Sequence, residues 1–251
     1  MTRRIDPGAA HPNMSDPRTS DRRAARGGLV DLPLRLVDEP AGVVDDWGRD
    51  AGLVRQIVGL AQIRWDVSVG GDQHLPKHKG ALIVVNARRF ALAPIFSALA
   101  ISEAVDRPVR FVGRSDTAPL GPLARRIGGL LDHPDELFGA LRAGELVVIG
   151  ADATTRLREV GRVRHDLVGA ATAAGVQAFP AATISTPLGR RARVEIGTAT
   201  RPTRRRRGPL AEVELADHLR SRIASLLEEM GDIRTGTPLD WLPLNGIGGG
   251  R

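Results

Sequence analysis

The spacing of apolar residues divides the chain into an unpatterned front and a patterned body that begins near residue 51. Leu53, Val54, Ile57, Val58, Leu60 and Ala61 recur three and four apart, which predicts a helix with one apolar face. Residues 65–69 alternate as a strand does, and Gly70, Gly71 and Pro76 then mark a turn. Ala81–Val85 is apolar at every position, and a strand with no polar side is expected to be buried on both faces. Residues 90–105 predict a helix with Pro94 in or near its first turn, where a missing N–H costs little.

The rest of the body continues in the same manner. Residues 109–112 predict a strand, 120–127 a short helix, and 135–141 a second helix capped by Asp132 or Asp135. Residues 146–149 form another all-apolar strand, and 163–174 a helix that stops at Gly175. Strands are expected at 178–184 and 192–196. Leu210, Val213, Leu219, Ile223, Leu226, Leu227 and Met230 then keep helical spacing up to Gly231. No repeat and no heptad pattern is present. Strands separated by helices predict an α/β domain, a mostly parallel mixed sheet flanked by helices and joined by right-handed crossovers. The domain is placed at 51–231, with a disordered lead at 1–28, a surface segment at 29–50 and a tail at 232–251.

Composition narrows the chemistry. With 251 residues and 42% hydrophobic content the chain can bury a sizeable core. It has no Cys, which excludes disulfides, thiolate metal sites and Cys nucleophiles. Six scattered His give no ligand-spaced cluster, so no metal and no resident cofactor are expected. No apolar run reaches membrane-spanning length, and nothing apolar follows Arg3 and Arg4 as a signal peptide would require. The formal net charge is +7, and residues 190–207 hold eight arginines against Glu195 alone. A basic concentration of this kind, Arg204, Arg205, Arg206 and Arg207 above all, suits an anionic surface such as phospholipid headgroups. Nucleic acid is disfavoured, because stacking platforms are scarce with five Phe, three Trp and no Tyr.

The order of segments resembles the 1-acyl-glycerol-3-phosphate acyltransferase family. Residues 65–86, 107–114 (Arg107-Pro-Val-Arg-Phe-Val-Gly-Arg114), 120–129, 143–154 and 174–180 stand where that family has its lead strand, its second strand and its later blocks. The likeness spans roughly 130–150 residues and rests on order and spacing rather than on any single match. It implies a glycerolipid acyltransferase-like fold. In that family the strand corresponding to 81–85 ends in Asn-His, with an Asp after four intervening residues. The His is the general base that takes a proton from the acceptor hydroxyl as it attacks an acyl thioester, and the Asp orients it. Here Asn86 is followed by Ala87, and the Asp position holds Leu92. A methyl and an isobutyl group cannot handle a proton, and losing a general base costs about 10²–10⁴ in rate.

The other blocks drift too. In the place of a Phe-Pro-Glu-Gly-Thr block stand Asp152, Ala153 and Thr154, with Thr155 at an Arg position and Arg156 displaced by one. The resemblance assigns substrate contacts to Asn86, Arg88, Arg89, Arg114, Asp152, Ala153, Thr154 and Arg156. His133 is the best substitute base, ahead of His74, His78 and His165, although each reads more simply as a solvated or locally bonded imidazole. Asp152 with Thr154 reads as a helix-cap or turn pair rather than an acid/base pair. Two functions follow from the resemblance. The first is a catalytically impaired relative that binds lipid, acyl thioester or a partner at an anionic membrane surface. The second is an active enzyme that moves an acyl group from acyl-CoA or an acyl carrier to a lysophospholipid through a rearranged site. The expected location is cytoplasmic, peripheral at the inner face of a membrane.

Overall fold

Ala81–Val85 forms the strand that its apolar run predicts, and all five residues are fully buried. The rest of the sheet is arranged around it in a computed structural model that describes residues 44–64, 66–87, 92–114, 117, 120–156, 159–185, 191–200 and 208–231. The expected lead at 1–28 and tail at 232–251 lie outside the described residues. The chain from Pro40 onward makes one compact unit.

In chain order the elements are α1 (Ala51–Arg64), β1 (Asp66–Gly70), a 3₁₀ turn (Asp72–His74), β2 (Ala81–Val85), α2 (Ala93–Ala104), β3 (Val109–Arg114), α3 (Leu120–Arg126) and β4 (Gly129–Leu131). They continue as α4 (Pro134–Arg142), β5 (Leu146–Gly150), α5 (His165–Ala174), β6 (Gln177–Ser185), β7 (Arg191–Ile196) and α6 (Pro209–Glu229). The seven strands form one mixed sheet in the order β1-β7-β6-β2-β5-β3-β4. β6, β2, β5, β3 and β4 run parallel to one another. β7 is antiparallel to β6 and β1 is parallel to β7, so these two strands at one side of the sheet run the other way. The expected class, α/β with a mostly parallel mixed sheet flanked by helices, is the one observed.

Alternation along β2 explains why it carries no polar side. Leu82 and Val84 join Val147, Ile149, Leu137, Leu167, Leu219 and Ile223 in a core on one face. Ala81, Ile83 and Val85 join Val148, Ala98, Ile101 and Phe111 on the other. In register, Ala81 sits between Leu146 and Gln177, and Val85 between Gly150 and Ala181. The edges are treated differently. The first three residues of β1 are exposed, and β4 has only three residues.

Several expectations need correction. β4 is too short to show alternation, so the sequence pattern passes over it. It packs closely because a side chain on Gly129 would come within 2.7 Å of the Ala124 carbonyl oxygen. The cap of α4 is neither Asp132 nor Asp135. It is His133, whose Nδ1 accepts from the Asp135 N–H at 3.3 Å, while Asp132 is bonded to Arg164 instead. Leu60 is 52% exposed, and Leu210 and Val213 are 74% and 42% exposed, so both apolar stripes are wider than the faces they bury. In α6 the buried face is Ala211, Leu215, Ala216, Leu219, Ile223, Leu226 and Leu227.

Arginine side chains hold the segments that the sheet does not. Arg107 donates to the carbonyls of Pro76 (2.9 Å), Lys77 (3.0 Å) and Lys79 (3.3 Å) through Nη1, and to that of Gly144 (2.7 Å) through Nη2. It thereby fixes the loop that feeds β2. Asp50, 2% exposed, caps α1 by accepting from Gly52 N–H (2.9 Å) and Leu53 N–H (3.1 Å), and binds Arg126 Nη2 at 2.8 Å. Arg110, 1% exposed, donates from Nη2 to Asp45 at 2.7 Å and has Nε 3.1 Å from Glu145. The guanidinium lies over the Trp47 ring, 5.9 Å from its centroid.

Burial alone would push Asp45 up. The N–H groups of Arg49 and Trp47 and the Arg110 guanidinium outweigh that and hold its carboxyl below the usual carboxylate range. A depressed folded pKa gives stability that is present above the unfolded value and lost as pH falls through the folded one. Asp45→Asn keeps the acceptor for the two N–H groups and removes the charge. Because Glu145 remains beside Arg110 and the Asp45 side chain is 34% exposed, the loss is expected to be that of weakening one charge-assisted hydrogen bond, about 1–2 kcal/mol. Denaturant unfolding at neutral pH checks this, and the gap between variant and parent should narrow toward acid pH.

Candidate functional site

The parallel strands β2, β5 and β3 end at the same edge of the sheet, where open α/β folds place their ligands. The loops leaving that edge hold the residues singled out in the sequence. Asn86, directly after β2, is 2% exposed. Its Nδ2 donates to the Thr183 carbonyl at 3.0 Å, and its Oδ1 accepts from the Thr183 N–H at 2.7 Å. Asn86 therefore continues the β2–β6 ladder with a side-chain amide, a tie rather than a free ligand contact.

Ala87 follows, 9% exposed. Its carbonyl accepts from the Thr154 N–H at 3.2 Å, and the Val85 carbonyl accepts from the Ala151 N–H at 2.8 Å. These two bonds lay the start of the loop after β5 against the end of β2, so the two altered blocks are brought together. Gly150 completes the contact. A Cβ there would stand 3.5 Å from the Ala87 methyl and only 2.9 Å from Pro94 Cγ. A side chain on Gly150 would thus crowd the ring of Pro94 and touch the methyl of Ala87.

Leu92 is the N-cap of α2, makes no side-chain cap bond and is 57% exposed. Arg114 ends β3 with its Nη2 3.5 Å from Glu136 Oε1. Asp152, Ala153 and Arg156 are exposed. Thr154 Oγ1 donates within its own loop, to the carbonyls of Arg156 (3.2 Å) and Glu159 (2.9 Å), which is the turn role expected of it. His133 caps α4 with a ring that is 61% exposed. His165 is exposed at the start of α5, on the same side of the sheet. His74 is bonded to the Ile196 carbonyl at 3.0 Å, in the connection that enters β2 from the other end. Arg88, Arg89 and Arg204–Arg207 lie outside the described residues. The last described residue before that run is Thr200, whose N–H donates to the Ala178 carbonyl at 2.7 Å, near the start of β6.

One further cluster stands on the site edge. Arg164, the N-cap of α5, binds both Asp132 and Asp166. The hydrogen bond from Arg164 holds the Asp166 carboxyl below the usual range, and the same bond raises the Arg164 guanidinium further. The cluster joins the loop after β4 to the one after β5, with no sequence motif to announce it. Among the described residues no group of three or more His, Asp or Glu is placed to hold a metal, and no helix is long and apolar enough to cross a membrane.

The architecture is similar to that of a solved structure, the 1-acyl-sn-glycerophosphate (LPA) acyltransferase PlsC from Thermotoga maritima. The two agree with a TM-score of 0.51 at 15% identity, over 71% of this chain and 81% of that one. The mixed seven-strand sheet flanked by helices is thus an acyltransferase-like fold. No protein-family model matches the chain, and no curated protein sequence matches it.

Replacing Asn86 by Ala leaves the half-buried N–H and C=O of Thr183 without their partner, at a cost of about 1–3 kcal/mol. Gly150→Ala forces Pro94 away and should cost about 1–3 kcal/mol. Equilibrium unfolding of the two single variants checks both values. Because the sites are neighbours, their double variant is expected to depart from additivity.

Proposed function

We propose that this protein is a glycerolipid acyltransferase-like protein with a degenerate catalytic centre, impaired in acyl transfer, that binds a lipid or acyl thioester at the carboxyl edge of its sheet. The observation that carries the reading is that Ala87, beside Gly150 at the end of β2, and Leu92, at the cap of α2, hold the two positions. In the family this chain resembles, those two positions are the base and its orienting acid. Here neither can accept a proton, and the two histidines on the same edge are engaged as a helix cap or exposed at a helix start. The likeness to the PlsC structure supports the lipid and acyl class of ligand.

Arg88, Arg89, Arg114 and Arg156 are the cations of this reading, and they would hold a phosphate or a coenzyme's anionic groups by charge rather than by bidentate fit. Asn86, Asp152, Ala153 and Thr154 would shape the floor of the site in this reading. The Arg204–Arg207 run would add attraction to an anionic surface, about 1 kcal/mol per Arg at contact. Acyl-CoA or an acyl carrier would be a bound ligand or co-substrate, and no resident cofactor is part of this reading.

An acyl-transfer assay with long-chain acyl-CoA and lysophosphatidic acid tests it, run beside calorimetric titration of acyl-CoA alone. The unmodified protein should bind acyl-CoA and show no turnover above background. Ala87→His with Leu92→Asp should gain turnover, provided the imidazole displaces Pro94 enough to fit. Clear turnover by the unmodified chain would sink the impaired reading in favour of an active enzyme with a rearranged site. Leu92→Asp alone puts a negative charge at a helix N-terminus and is expected to stabilise by about 0.3–1 kcal/mol, a gain lost as pH falls and the carboxylate protonates.

A further inference from the structure

The chain holds 36 lysines and arginines, and only Lys77 and Lys79 are lysines. They stand two residues apart in the loop that enters β2, at the end of the strand away from the candidate site. Both are exposed, and among the described residues neither ammonium has an ion-pair partner. Exposed cations elsewhere, Arg55, Arg142, Arg162 and Arg222 among them, are guanidiniums. A need for solvated positive charge therefore does not account for lysine here, because arginine meets that need throughout. What a primary amine can do and a guanidinium cannot is lose its proton and attack a carbonyl carbon.

The loop presents the two amines from a fixed backbone. Leu75, 7% exposed, anchors one end in the core. At the other end a side chain on Gly80 would come within 2.3 Å of the Leu141 carbonyl oxygen, so the chain lies tight against the end of α4. Between these anchors the carbonyls of Pro76, Lys77 and Lys79 all accept from Nη1 of Arg107. The backbone that carries both amines is thus gathered around one guanidinium, and three cations share one short loop. Such a concentration of charge raises the local level of an anionic reagent. An acyl thioester on a phosphate-bearing carrier is a reagent of that kind.

We propose that Lys77 and Lys79 form a modification site, at which a side-chain amine is acylated by an acyl thioester whose carrier bears phosphates, as coenzyme A does. The unprotonated Nζ of one lysine attacks the thioester carbonyl carbon. The C–N bond forms, the C–S bond breaks, and the leaving thiolate takes up the proton that the nitrogen sheds. The neighbouring ammonium holds the carrier's phosphates by charge, which is the use of having two. The product is a neutral amide, so acylation erases positive charge at the one loop of the chain where side-chain amines exist. This site does not rest on the reading of the carboxyl edge, and it lies at the opposite end of β2.

The full chain incubated with acetyl-CoA tests this, followed by intact mass and peptide mapping. A blocked synthetic peptide of residues 73–81 supplies the same amines without the Arg107 clamp. Each lysine of the folded chain should react about 3-fold faster than in the peptide, an advantage that high salt removes. Lys77→Gln should slow the reaction at Lys79 by about 3-fold, whereas Lys77→Arg, which keeps the charge, should not. Thermal melts followed by circular dichroism confirm that both variants fold, and the comparison with the peptide needs no variant. Equal rates in chain and peptide would overturn the proposal, as would equal effects of Gln and Arg. Lys77→Arg/Lys79→Arg should take up no acetyl group on a side chain, yet bind long-chain acyl-CoA in the calorimetric titration as the parent does. If that binding persists while the acylation rates fail, only the lysine site is wrong.

Discussion

The side-chain amide of Asn86 carries the pairing between β2 and β6 one step past the last paired residues, donating to the carbonyl of Thr183 and accepting from its N–H. Few side chains can do both at once, because the bond needs a donor and an acceptor in the plane and spacing of a peptide group. The consequence is positional. With both faces of β2 in the core and both its edges paired, the chain leaves the sheet at one fixed point, and Asn86 determines where. Everything argued about the site depends on that exit, because Ala87 comes next and the loop after β5 is hydrogen-bonded to it.

Much of this was legible in the pattern of the chain. An all-apolar run such as 81–85 or 146–149 has one comfortable place, the middle of a parallel sheet, and both strands are found there. The helices at α2, α5 and α6 follow from spacing, and Gly175 stops α5 in the left-handed conformation that glycine adopts freely. The failures have physical causes. β4 spans less than two periods of alternation, so no pattern can identify it. His133 caps α4 although Asp is the commoner choice, because Asp132 is taken by Arg164, and a long-range partner is invisible to local rules. The stripe in α6 keeps helical spacing from its first turn, yet burial depends on what packs against it, and Leu210 and Val213 stay exposed. At the site, the sequence located the altered positions. It could not tell that Pro94 closes on Gly150 next to Ala87, since that approach joins separate segments.

The arginines illustrate a related point. A count of basic residues suggests a chain made for anions, and it overstates the charge on offer. Arg107 is spent on four carbonyls, Arg110 on Asp45 and Glu145, Arg126 on Asp50, and Arg164 on Asp132 and Asp166. A guanidinium serves well here, because its five N–H groups can join several segments that share no strand or helix. The charge left for a ligand on the described part of the site edge is borne mainly by Arg156 and Arg162.

The margins of the sheet have an effect on how copies of the molecule meet. A row of unpaired peptide groups invites a neighbour to add a strand, and growth in that direction ends in insoluble assemblies. β4 offers such a visitor only three residues. β1 is longer but begins with Asp66 and turns Ser68 and a half-wet Val67 to solvent, so a flat hydrophobic template never forms. A chain that leaves leucines exposed around its working edge would otherwise risk self-adhesion through two routes at once, and its blunted borders close one of them.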